Sequence, residues 1–507
     1  MVLGHKPFIS VKSALLVLVS IASISYIALQ SHRVSVEPVW SGERNNTAVE
    51  VPSIRTQIEF WRSFEALLFL SKPDCPSPIR NGSSGAIFFE ATKEIPRPDI
   101  TFMPREDVEL MRAAHQYFVD SIKVSPPKMS YTPGTRGVVT TAGGVYLPVL
   151  VISLRMLRRT GSTLPMEVFL ASPSEYEGDI CRDVLPSLNA RCLIISDILD
   201  AVVPGSVTIA QYQLKSFAML FSSFEDILFL DADSFPIRNP EELFTSEPFI
   251  SHGMVLWPDF WISTASPLYY NISGQAVPPM SKRQSSETGE ILVSKKTHSH
   301  SLLLASYYNY YGPSHYYVLQ SQGAPGEGDK ETFAAAADAL DETYYAVSER
   351  VQPVGALKDD GGIAGSGMVQ HDSKEDYILT KQGLWRVKDP SVAKSPRAFF
   401  VHVNFPKFNP STIFHDGGPT KDANGNDRRA WTAPSETIEA FGMDLEMYFW
   451  EEIKWTGCEL EHKFRSWQGR NDICSNVKSY WNNVFGTPRE RILAHHEPSN
   501  KRWLYTY

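Results

Sequence analysis

The sequence lacks a basic excess: 48 Lys and Arg face 57 Asp and Glu, a formal charge of −9 at pH 7. A nucleic-acid partner is therefore disfavoured, because neutralising phosphates takes a basic surface. Cysteine is scarce as well. The five cysteines, Cys75, Cys181, Cys192, Cys458 and Cys474, are too few for a disulfide scaffold and form no C-x-x-C metal pattern. Cys181 with Cys192 and Cys458 with Cys474 are spaced for local bridges, and buried free thiols account for them equally well. Charged residues are only 21% of the chain against 43% apolar and 12% aromatic, so a large core is within reach and global disorder is not. At roughly 150 residues per domain the length admits about three units, or one large α/β domain with appendages.

One apolar run stands apart. Phe8 to Leu29 carries a single charge, Lys12, and is just long enough for the roughly 20 residues that cross a bilayer. Lys6 and Lys12 before its uncharged heart, Ala14 to Leu29, and Arg33 after it favour a short cytosolic N-terminus and a luminal remainder, the type II arrangement. A cleaved signal peptide is the rival, with the small residues Ala22, Ser23 and Ser25 at hand, but the run is longer than a usual signal core. Sequons at Asn45, Asn81 and Asn271 permit luminal glycosylation, while Pro410 blocks the one at Asn409.

Beyond the anchor, residues 31 to about 56 have no period and read as a stem. Helical spacing predicts an amphipathic helix over Gln57 to Leu70 and a second from Glu106 to about Val124, whose apolar stripe includes His115, a packed core histidine. From Gly137 onward short apolar runs alternate with helical patterns, as in βαβ units. The expected strands are Val138–Thr141, Glu167–Leu170, Cys192–Ser196, Ile227–Asp231, Gly253–Trp257, Glu290–Ser294 and Phe399–His402. Helices are expected over Tyr146–Arg159, Gln211–Phe224, Thr297–Tyr310 and Lys330–Asp341. Strands as apolar as Ile-Leu-Phe-Leu imply an α/β sheet covered on both faces. The division this suggests is a tail and anchor over 1–30, stem and entry helices over 31–134, a catalytic domain over 135–416 and a helical cap over 417–507.

The sharpest motif is Phe229-Leu230-Asp231-Ala232-Asp233-Ser234-Phe235-Pro236. Residues i and i+2 of an extended chain point to one side, so both carboxylates are able to share a hard cation where the strand runs out. That edge of an open α/β sheet is also where ligands bind. A turn would ask for only one aspartate. Lys215 lies on the helix leading into this strand, where snorkelling to solvent is the plainer reading. His402 ends another apolar run with Lys407 five residues on; an imidazole suits Mn²⁺ and a lysine holds phosphate. Together these groups describe a diphosphate held between a divalent cation and a lysine.

The runs Tyr212-Gln213-Leu214-Lys215-Ser216, Leu230 through Pro240, Leu256-Trp257-Pro258-Asp259, Gly326-Glu327-Gly328-Asp329-Lys330-Glu331-Thr332-Phe333 and Gly365-Ser366-Gly367-Met368-Val369-Gln370 resemble the fungal Golgi α-mannosyltransferases of glycosyltransferase family 71. The likeness spans roughly Gly137 to Pro410 and is greatest to the α-1,2 branch-initiating members. It implies a GT-A-like fold, a mixed and mostly parallel sheet flanked by helices. It further implies a type II Golgi membrane enzyme acting on cell-wall mannan or glycoprotein glycans, GDP-mannose as donor, an α-mannoside acceptor, Mn²⁺ as cofactor and retained configuration. Carried onto this chain, Asp231, Asp233 and His402 become metal ligands. Asp231, Lys215 and Lys407 become donor contacts. Asn404 and Pro406 depart from the glycine expected near that lysine in the wider GT-A class.

Thr141 and Gly143, at the turn after the first expected strand, offer small side chains and backbone N–H groups to a nucleotide, although a tight turn explains them too. The glycine-rich loop Gly323 to Asp329 sets Glu327 and Asp329 against sugar hydroxyls as candidate catalytic residues; favouring a helix N-terminus is the alternative. Trp257, Asp259 and Trp261, with Tyr269 and Tyr270, are acceptor-side candidates, though aromatic residues at strand ends commonly pack. An α-1,3 linkage and a non-catalytic membrane-anchored glycan-binding protein are the competing functions. A glycosidase fits poorly, because aspartates two residues apart share a metal more naturally than they flank a sugar.

Overall fold

The computed structural model describes residues 54–358, 361–415 and 417–486. The expected anchor, most of the stem and the Asn45 sequon lie outside those residues. Among the described residues no helix is long and apolar enough to cross a membrane.

Eleven strands build the two main sheets: β1 (Thr132–Thr141), β2 (Met166–Leu170), β3 (Ala190–Ile194), β4 (Phe224–Leu230), β5 (Ser234–Pro236), β6 (Met254–Ile262), β7 (Gln284–Ser294), β8 (Tyr345–Ala346), β9 (Gln352–Leu357), β10 (Ile363–His371) and β11 (Ala398–His402). The larger sheet has the order β8-β6-β7-β4-β1-β2-β3. It is parallel throughout except where β7 pairs antiparallel with β6 and β4, a mixed and mostly parallel sheet.

Side chains alternate across it, and both faces are apolar. Along β4, Ile227 and Phe229 turn to one face while Leu228 and Leu230 turn to the other. The first face is covered by helices α1 (Ile54–Leu70), α2 (Arg105–Val124), α4 (Gln213–Phe221), α5 (Ser299–Tyr310) and α6 (Thr332–Leu340), and the second by α3 (Leu147–Arg159) and segments from the C-terminal part. Trp61 and Phe64 of α1 and Phe118 of α2 enter the same core as the sheet, Phe64 meeting Phe118 edge-on at 6.3 Å. Rings of this size, fully buried, each contribute about 2–3 kcal/mol of burial energy. His115 is buried with Nε2 2.7 Å from the Tyr308 hydroxyl, a packed core histidine.

The smaller sheet, β9-β10-β11-β5, is antiparallel throughout. Sequence patterning anticipates only β11, because Gly355, Gly365 and Gly367 make β9 and β10 read as loop. At Gly355 the strands approach so closely that a Cβ would stand 2.1 Å from the Ala364 carbonyl oxygen. Helices α7 (Leu445–Glu459) and α8 (Ile473–Val484) cover this sheet, with Phe449 stacked on Phe235 at 5.2 Å. α7 is tied to α3 by Arg155 and Arg159, which both bond Glu452. Cys181–Cys192 and Cys458–Cys474 are disulfide-bonded and Cys75 is free.

Candidate active site

The chain changes sheets across Asp231-Ala232-Asp233, since β4 belongs to the large sheet and β5 to the small one. The backbone ladders of both sheets hold the ends of this crossing. Asp231 N–H donates to the Gly289 carbonyl at 2.9 Å, and the Asp233 carbonyl accepts from Val403 N–H at 2.9 Å. In the register of β5 with β11, His402 lies opposite Ser234. Its Nε2 is 3.2 Å from Asp233 Oδ1 and 3.9 Å from Asp231 Oδ2, and its Nδ1 is 3.4 Å from Glu287 Oε1. Gly289 makes room for this ring, because a Cβ there would stand 2.4 Å from His402 Nδ1.

Two lysines close the cluster. Lys215 on α4 reaches Asp231 Oδ1 at 3.2 Å, Asp329 Oδ2 at 3.1 Å, the Thr288 hydroxyl at 2.9 Å and the Thr288 carbonyl at 2.5 Å. Lys407 bonds the second oxygen of Asp233 and is the more accessible of the two. Beside them Lys330 pairs with Asp259 at 2.8 Å. All these groups line one cleft of about 900 Å³, together with Thr141, Gly143, Tyr146, Phe260, Trp261 and Asn404.

Burial and charge oppose each other here. Burial pushes the Asp233 carboxyl up, but His402 and Lys407 outweigh it and hold the group well below the usual carboxylate range. At Asp231 burial wins over Lys215 and His402, and the carboxyl stands above its ordinary value. Burial disfavours His402 as a cation, yet Glu287 and Asp233 raise it well above the usual imidazole range. Glu287 is held at about 2, since His402, Lys215 and the Gly289 N–H outweigh its burial. Glu290 is pushed up to about 8 by burial and by Glu287, and it accepts from the Ser234 hydroxyl at 3.2 Å.

One ligand atom each from Asp231, Asp233 and His402 lie within 4.8 Å of one another, and Glu287, Glu290 and His402 form a second such group. Two hard carboxylate oxygens and an imidazole are a donor set that fits Mn²⁺.

Of the residues singled out from sequence, the structure gathers Thr141, Gly143, Lys215, Asp231, Asp233, Asp259, Trp261, Asp329, His402 and Lys407 at the cleft. Glu327 is turned elsewhere, onto Arg80 at 2.7 Å and the Gly323 N–H at 2.6 Å. Trp257 is buried on the far face of the sheet, its ring 5.2 Å from Phe400 and its indole N–H donating to the His371 carbonyl. Its place in β6 explains this: Asp259 and Trp261 lie two and four residues further along, where the strand reaches the cleft. Tyr269 and Tyr270 are core residues. Sequence reasoning passes over Glu287, Thr288 and Glu290. The available signal is an acidic pair, Glu287-Thr288-Gly289-Glu290, entering an apolar run.

The mannosyltransferase family model Mannosyl_trans3 matches residues 135–285 and 280–372. Alpha-1,2-mannosyltransferase MNN21 of Candida albicans is 36% identical over 436 residues, 74% of this chain and 65% of that protein. In Saccharomyces cerevisiae, alpha-1,2-mannosyltransferase MNN2 is 31% identical across 76% of this chain and 74% of its own length. MNN5 of the same yeast is 30% identical across 69% of this chain and 72% of its own length. The chain spans just under two thirds of the length of MNN21 and about three quarters of that of MNN2 and MNN5.

Proposed function

The chain belongs to the fungal alpha-1,2-mannosyltransferase family, and from that premise we propose that it transfers mannose from GDP-mannose to an α-mannoside glycan. The product is an α-1,2-linked mannoside of retained configuration, made at a GT-A-type cleft by an enzyme anchored in the Golgi membrane with its catalytic part in the lumen. The observation that carries this reading is the convergence of Asp231, Asp233, His402 and Lys407 where the two sheets meet, in a cleft large enough for a nucleotide sugar.

Asp231, Asp233 and His402 would hold Mn²⁺, which when bound supplies positive charge to the departing diphosphate. The chain's own residues supply the rest. Breaking the bond from mannose C1 to the diphosphate leaves charge on the leaving group, and a fixed cation facing that position stabilises it. Lys407, partly exposed in the cleft, meets the diphosphate in the bound donor and in the departing group alike, so its contribution is to donor binding. Lys215 is spent on Asp231, Asp329 and Thr288, so its role is to orient the two carboxylates. Thr141 and Gly143 border the nucleotide, and Asp329, Asp259 and Lys330 face the sugars. The Glu287 carboxylate, 3.4 Å from His402 Nδ1, supplies a counter-charge behind the ring.

Incubating the full-length chain with GDP-mannose, Mn²⁺ and an α-mannoside tests the proposal. The expected product is longer by one hexose, is α-1,2 by linkage analysis, and fails to form in chelator. Extension that proceeds undiminished in chelator, or with Asp231 and Asp233 both replaced by Ala, would sink it.

A further inference from the structure

Outside the span matched by the family model, residues 79–104 are tied by their own side chains to the connection between β6 and β7. Arg97 donates to the carbonyls of Ser263, Ala265 and Pro278 at 3.2, 3.1 and 2.8 Å. Glu94 accepts from Met280 N–H at 2.7 Å. The middle of the segment is pinned on both sides of Phe88. The Ile87 carbonyl accepts from Ile262 N–H at 2.9 Å and the Phe89 carbonyl from Arg350 at 3.0 Å, while Phe89 itself is buried against Ile262, Met280 and Val387.

This pinning leaves Phe88 facing out, 63% exposed, with its ring 4.8 Å from that of Trp261. A single exposed ring is ordinary. Here the ring extends a surface that Trp261 and Phe260 begin inside the cleft, next to the buried pair of Asp259 and Lys330. Flat aromatic faces beside a few fixed hydrogen-bonding groups suit a ligand that is apolar on one face and hydroxylated at its edges. A pyranose ring has that character. The reacting sugar belongs at the charged floor of the cleft, so the lip holds a ring further along the acceptor.

We propose that Phe88, seated on Trp261 at the lip of the cleft, forms a subsite for a second or third pyranose of an oligomannoside acceptor. This rests on the transferase reading. The residue comes from a segment that the sequence places with the stem and entry helices, so the part preceding the catalytic sheet takes part in choosing acceptor length.

The test compares methyl α-mannoside with α-mannotriose as acceptors for the full-length chain. Phe88→Ala should raise the KM for mannotriose about tenfold more than that for methyl α-mannoside. Phe88→Tyr should restore it, because the ring face is kept. Isothermal titration with mannotriose alone should show the same loss and rescue without turnover. Equal KM shifts for both acceptors would overturn the proposal, as would a Phe88→Leu variant that binds mannotriose as well as the wild type. If the chain binds mannotriose through Phe88 yet transfers nothing, the transferase reading falls and the subsite stands. If it transfers mannose and Phe88→Ala changes nothing, the reverse holds.

Discussion

Strand β7 supplies partners to two buried carboxylate clusters, and they are buried in different ways. Glu331 is saturated by fixed donors: Arg283 at 2.8 Å, the Ser263 and Ser285 hydroxyls at 3.0 and 2.7 Å, and the Ser286 N–H at 2.9 Å. Its burial is outweighed by Arg283 and the seryl donors, and its pKa is held at about 2. Asp231 and Asp233 are instead neutralised by Lys215, His402 and Lys407, side chains that line an open cleft. A carboxylate sealed by serines and a half-buried arginine has no capacity left for a ligand. One balanced by side chains that line an open cleft keeps that capacity, which is the physical difference between a structural acid and a functional one.

Asp233→Asn should therefore act on chemistry. Transfer falls about 10³-fold, about 4 kcal/mol of transition-state stabilisation, while the thermal midpoint stays within a few degrees because Lys407 reaches solvent. Kinetics alongside a melting curve check this, and a variant that unfolds yet transfers normally when folded would erase the distinction. Glu331→Gln should do the opposite. It leaves the half-buried Arg283 guanidinium without its closest counter-charge, a loss of about 2 kcal/mol in urea unfolding, with the rate per folded molecule within about threefold of wild type.

The contrast extends to histidines. His402 is held charged between Asp233 and Glu287, whereas His115 is buried against Tyr308 and pushed down to about 4 by burial. The folded state disfavours the protonated form of His115, so the unfolded chain binds the proton first as pH falls below about 6.5. Stability is lost as pH drops from that value toward 4, by about 2 kcal/mol between pH 7 and 5 from this residue. His115→Phe should flatten that part of the stability profile in urea titrations at several pH values. An unchanged slope would show that His115 titrates freely.

Much of this layout is legible in the sequence, for reasons of period. Apolar runs such as Ile227 to Leu230 and stripes such as Phe217 and Phe221 have no solution but a doubly covered sheet with helices on it. The place of Asp231 and Asp233 at the end of a strand is legible for the same reason. The partner sheet is not, because β9 and β10 are rich in glycine and their pairing is decided by close backbone approach. Glu331 and Asp329 look alike in sequence, two acids before one helix. Only the arrival of Arg283 and three serines from elsewhere in the chain distinguishes them. Trp257 and Trp261 differ likewise by position along β6, the one under the sheet and the other at the cleft.

The finest division is between the two lysines. Lys407 is partly exposed and holds one oxygen of Asp233, whereas Lys215 is buried and has its donors distributed over Asp231, Asp329 and Thr288. Replacing Lys407 by Met should weaken the donor alone, raising the KM for GDP-mannose about tenfold, or about 1.4 kcal/mol, with kcat nearly kept. An exposed charge is also screened, so raising the salt should raise the wild-type donor KM and leave that of Lys407→Met almost flat. Lys215→Met removes the common tie between Asp231 and Asp329 and should lower kcat instead, with little salt dependence. If both variants move the donor KM alike, the lysines are interchangeable phosphate contacts and the orienting role assigned to Lys215 fails.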